Sequence, residues 1–99
     1  MSVVIIRSGS WVYAGEVAMP VDIVGLPYDF WYELARVDEQ LEPDETAQAL
    51  GDEGLLYYAR FRHAGETVER TWPDSAGYDT IDAAMRDAEA RVVSRIVWR

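Results

Sequence analysis

The sequence predicts an α+β domain: an antiparallel sheet of about five strands with one C-terminal helix packed on one face. Two patterns carry that expectation. Runs of β-branched and aromatic residues, several of them strictly alternating, fill the chain up to Trp72, whereas one apolar stripe at helical spacing begins only after Tyr78. Size and composition agree with a single core, since 99 residues, 49% apolar and 27% charged, make one soluble globular domain. Residues 1–99 are therefore read as one domain, with an acidic insert at 38–54.

Val3-Val4-Ile5-Ile6 carries β-branched residues in both alternating sets and predicts a strand buried on both faces. Ser8-Gly9-Ser10 reads as a turn, with extended structure resuming at Trp11-Val12-Tyr13 to close a first hairpin. Val17, Met19, Val21 and Ile23 alternate with Glu16, Ala18, Pro20 and Asp22, the pattern of a half-buried strand. Pro20 puts that strand at an edge or a bulge, because proline cannot donate to the ladder. Tyr28 to Leu34 alternates again, and its row of aromatics favours a strand over a helix through Val37.

Glu42-Pro43-Asp44 through Gly51 reads as a short helical turn, with proline and acids at its start and glycine at its stop. Leu55–His63 and Glu66–Trp72 form a hairpin about Ala64-Gly65, in a register that sets Arg60 opposite Glu69 on the solvent face. The helix is expected over Thr80 to Ser94, capped by Asp79, with Ile81, Ala84, Met85, Ala88 and Val92 toward the sheet. Asp82–Arg86 and Asp87–Arg91 are acid-before-base pairs at i,i+4. Arg95–Arg99 reads as a short closing strand.

Charge is the informative anomaly. Eighteen acids face nine bases, for a net of −9, and every base is arginine. The missing lysine reads as the codon usage of a GC-rich genome, with a salt-adapted proteome as the alternative. Residues 55–99 are balanced, seven acids to seven arginines. Asp38, Glu39, Glu42, Asp44, Glu45, Asp52 and Glu53 hold seven of the nine excess negative charges, with no base among them. Such a balance argues against nucleic-acid binding, which needs clustered positive charge. The longest purely aliphatic run, Val3 to Ile6, is far too short to span a membrane. No secretory signal opens the sequence, so a cytoplasmic location is expected.

Chemistry-bearing motifs are sparse. The chain has no cysteine and one histidine, which excludes thiolate chemistry and disfavours an imidazole zinc site. His63 falls at a hairpin tip and reads as a surface residue. No nucleophile elbow surrounds any serine, and no glycine pattern cradles phosphate. The acidic stretch misses the calcium-loop spacing, with Thr46 and Gln48 where acids belong. No cofactor or metal is expected, and enzyme activity is disfavoured.

What remains is recognition. Localised charge of one sign steers encounter and selects partners. The sequence is therefore read as a small non-enzymatic binding or accessory protein presenting its seven insert acids to a basic protein surface. In general character, though through no motif, it resembles bacterial immunity proteins and inhibitors encoded by mobile genes. The alternative is a binder of small cationic or aromatic ligands, with Trp31 and Tyr32 beside Asp29 and Glu33, because a ring flanked by carboxylates attracts organic cations. A homodimer is compatible with either reading.

Overall fold

The computed structural model describes residues 4–62 and 73–99, apart from the Asp52 side chain. In chain order it contains β1 (Val4–Tyr13), β2 (Val17–Leu26), α1 (Phe30–Val37), a 3₁₀ turn at Asp52–Gly54, β3 (Leu56–Phe61), α2 (Ile81–Arg91) and β4 (Val97–Trp98). The fold is α+β, with two helices and one four-stranded antiparallel sheet ordered β3-β2-β1-β4 among the described residues. The expected partner strand Glu66–Trp72, the loop at Ala64-Gly65 and His63 lie outside those residues.

The first hairpin is longer than the sequence suggested. β1 runs unbroken through Ser8-Gly9-Ser10 and turns only at Ala14-Gly15, both left-handed (φ 54° and 72°), as a tight hairpin turn requires. Gly9 serves packing rather than turning. A Cβ on Gly9 would stand 2.8 Å from the Val97 carbonyl oxygen, where β4 lies against β1. Val4 and Ile5 are exposed rather than buried. β4 pairs only with Gly9 and Ser10, so this end of β1 has no outer neighbour among the described residues.

β2 lies inside the sheet, and both its faces are covered from Val21 to Leu26. It is therefore not half-buried as its alternation implied. Pro20 sits one residue beyond the paired stretch of β3 and accepts from the Arg62 N–H at 3.1 Å. One face carries Val21, Ile23, Tyr57 and Ala59, which pack with Ala84 and Ala88 of α2 and with Ile96. Ile81, Met85 and Val92 close over that cluster, so the stripe read from the sequence does face the sheet. α2 is shorter than expected, capped by Thr80 rather than Asp79; the Thr80 hydroxyl accepts from the Ala83 N–H.

The opposite face holds a second apolar cluster, Val24, Leu26, Leu56 and Tyr58, flanked by Tyr28 and Phe30. Beside it lies an ionic group. Asp22 is fully buried and accepts from Ser8 Oγ at 2.8 Å and from Arg60 Nη2 at 3.0 Å, with Arg62 Nε also at 3.0 Å. Arg60 is thus 2% exposed and stands opposite Asp22, which corrects its expected place on a solvent face. A buried carboxylate is tolerable only with such compensation.

Pairing along β3's other side continues into the segment after Pro73. Asp74 N–H donates to the Ala59 carbonyl, Ser75 Oγ accepts from Ala59 N–H, and Tyr57 and Tyr78 exchange two backbone bonds of 2.8 Å. That segment covers an edge that would otherwise invite another strand. Among the described residues, no helix is long and apolar enough to cross a membrane.

Candidate functional site

α1 occupies the stretch expected to be a strand. Asp29 decides the matter: its Oδ1 caps the helix by accepting from Tyr32 N–H at 3.1 Å, and Glu33 pairs with Arg36 one turn later at 2.8 Å. Phe30, Leu34 and Val37 then fall at i, i+4 and i+7 on one stripe. The helix ends in a Schellman arrangement. Gln40 N–H bonds the Ala35 carbonyl, Glu39 N–H bonds the Arg36 carbonyl, and Glu39 is left-handed at φ 58°.

Three ties fasten α1 to the body. Phe30 N–H donates to Tyr58 Oη at 2.8 Å, and that hydroxyl donates to the Tyr28 carbonyl. Trp31 Nε1 donates to the Ser75 carbonyl at 2.8 Å. The Phe30 ring also meets Tyr58 edge-on. Burial pushes the Tyr58 phenol up to about 12, so its proton stays in place. Even so, no residue of α1 is buried.

The acidic segment then doubles back along the helix. It leaves the helix's C-terminal end at Asp38, and ten residues later Gln48 N–H bonds Asp29 Oδ2 at 2.8 Å, at the N-terminal end. Gln48 Nε2 reaches the Gly77 carbonyl at 3.0 Å. Gly51 lies so close to Asp79 that a Cβ would stand 2.0 Å from its carbonyl oxygen. The segment is thus a strap pinned at both ends; of the expected helical turn at 42–51 only one hydrogen-bonded turn forms, Glu45 N–H to the Glu42 carbonyl at 3.1 Å, and a turn of 3₁₀ helix follows at Asp52–Gly54. With almost no apolar residues, a helix there had no face to bury.

Asp38, Glu39, Glu42, Asp44, Glu45 and Glu53 are all exposed. Among the described residues none of the six forms an ion pair with an arginine; the pairs go instead to Asp22, Glu33 and Asp87. The strap's carboxylates face water, along the length of α1.

The alternative residues are placed differently from their expected strand face. Asp29 spends both oxygens on the helix cap and the strap, Glu33 pairs with Arg36, and Trp31 gives its indole N–H to Ser75. Trp31 keeps 39% exposure, yet no uncommitted carboxylate of this pair flanks it. Beside α1 runs an open groove of about 530 Å³, lined by Tyr28, Phe30, Glu33, Leu34, Arg36 and Val37. The sequence signal for it was the i, i+4, i+7 stripe, masked by alternation that suited a strand equally well.

A smaller ionic cluster sits on α2, where Asp87 accepts from both Tyr78 Oη and Arg91 Nε. Arg91 holds the Asp87 carboxyl below its usual range, and Asp87 in turn raises the Tyr78 phenol. No three metal-ligating side chains gather among the described residues. No family model, curated protein or solved structure matches the chain.

Proposed function

We propose that this chain is a small non-enzymatic binding protein that presents residues 38–53 to a basic surface of a partner protein, as an inhibitor or immunity-type protein would. The observation that supports it is the strap itself: exposed carboxylates with no arginine partner among the described residues, on a segment tied to Asp29 and Gly77 through Gln48 and packed on Asp79 at Gly51. A merely solubilising loop needs no such pinning. Holding like charges together costs self-repulsion, and that cost is recovered when an opposite surface arrives.

The cation-binding alternative draws less support, because Asp29 and Glu33 already have partners. The test replaces Glu42→Gln, Asp44→Asn and Glu45→Gln together, and captures proteins from the source lysate at low and high salt. Each replacement should leave stability within about 0.5 kcal/mol. The wild type should retain a basic protein at low salt and release it at high salt, and the variant should lose it. Equal capture by both forms at both salt concentrations would reduce the strap to a solvated loop.

A further inference from the structure

We propose that the open stripe of α1 is a docking groove for a basic amphipathic helix of that partner, a refinement that rests on the acidic-surface reading above. The stripe has the form of one half of a helix–helix contact. Phe30, Leu34 and Val37 repeat at i, i+4 and i+7, Tyr28 extends the row, and Val37 is 69% exposed. The groove's two charged residues cancel each other, since Arg36 Nη2 lies 2.8 Å from Glu33 Oε1. Its floor is therefore apolar and locally neutral.

Charge selects the occupant. The strap runs the length of α1, about 12 Å for eight residues at 1.5 Å each, from Asp38 to the Gln48–Asp29 bond. Asp38 and Glu39 follow directly on the C-terminal end of the stripe, and Glu42, Asp44 and Glu45 lie on the strap between there and Gln48, all exposed and without an arginine partner among the described residues. A second copy of this chain would bring −9 against −9 and acid against acid. A neutral apolar helix would fill the groove but leave the carboxylates unanswered. A helix with apolar residues on one face and lysine or arginine beside them answers both surfaces, by the helix-in-groove mode of recognition.

Two synthetic peptides of identical composition, leucine and lysine, separate the terms. One places its leucines on a single helical face; the other is permuted so that they are scattered. Each is titrated into the intact protein and followed by NMR. The amphipathic peptide should bind saturably, with shifts centred on Phe30–Val37, and the permuted one about tenfold more weakly. Val37→Asp should weaken the amphipathic peptide about tenfold although it adds a negative charge, and Val37→Ser should act in the same direction. The exposure of Val37 leaves the fold out of the comparison.

Equal binding of both peptides, insensitive to the two Val37 variants but lost in the triple acid variant, would overturn the groove and leave the acidic-surface reading standing. Binding of neither peptide would overturn both. Equal binding of a version with glutamate for lysine would overturn the choice of a basic occupant. Concentration-dependent dimerisation of the free protein, abolished by Val37→Asp, would give the groove to a second copy and equally overturn it.

Discussion

On one face of the sheet, α2 presses Ala84 and Ala88, both fully buried, against β2 and β3; on the other, α1 reaches the sheet through Phe30 while none of its residues is buried. The two helices differ little in length, and both begin on a side-chain cap. They differ in what their apolar stripes meet. The small residues of α2 let its backbone settle close to Tyr57 and Ala59, so the helix completes the core. α1 carries large residues, yet its stripe ends at an open groove. Its place is held by hydrogen bonds from Phe30 N–H to Tyr58 and from Trp31 Nε1 to Ser75 rather than by burial. A helix whose stripe is left open adds little to stability, and that freedom suits it to meet another molecule.

The sharpest way to break this contrast lies between the helices, in the buried ionic group on α1's side of the sheet. Asp22→Ala should cost about 3–5 kcal/mol in urea unfolding, because it removes the carboxylate shared by Ser8, Arg60 and Arg62 and leaves the buried Arg60 without it. A loss below about 1 kcal/mol would mean that this face is not sealed.

The second comparison matches truncations on the two helices. Met85→Ala should cost about 2 kcal/mol, at the lower end for core positions because Met85 is only half-buried. Val37→Ala should cost under about 0.5 kcal/mol. Similar costs would erase the distinction between the helices.

Much of that distinction was half-legible in the sequence. The α2 stripe could be read residue by residue, because Ile81, Ala84, Met85, Ala88 and Val92 allow only one period. β2, β3 and the short closing strand were legible as extended segments from their β-branched and aromatic residues, though not the burial of β2 and β3 on both faces. α1 was misread because Tyr28, Phe30, Tyr32 and Leu34 alternate as well as Phe30, Leu34 and Val37 repeat, and Asp29 as a cap settles the matter only once its geometry is seen. Glycine, the usual helix stop, is absent; Glu39 takes the left-handed position instead. The Asp22 group was missed because an acid between Val21 and Ile23 reads as the solvent side of a strand. Its signal was Arg60 and Arg62 at i and i+2, two bases on one face of a neighbouring strand. The acidic strap's charge was plain from composition, whereas its pinning depends on Gln48 and Gly51, residues with no local signature.

A smaller effect sharpens how α1 is attached. Tyr58→Phe removes the acceptor of the Phe30 N–H and the donor to the Tyr28 carbonyl, and should cost about 1–2 kcal/mol. Burial raises this phenol from 10.0 to about 12. A raised pKa means the fold favours the protonated form, so the contribution is full below pH 10.0 and is lost as pH rises toward about 12. Wild-type stability should fall across that window more steeply than that of the Tyr58→Phe variant. Parallel curves would show that Tyr58 is not the tie.

Native-state hydrogen exchange puts the contrast between the helices to the most direct test. The amides of Leu34 to Asp38 in and just after α1 should exchange through openings about 2 kcal/mol or more below the global unfolding free energy, while those of Ala84 to Arg91 in α2 should exchange only with global unfolding. Equal protection in the two helices would contradict the account, because it would make α1 as much a part of the core as α2 and leave its open stripe without the freedom assigned to it.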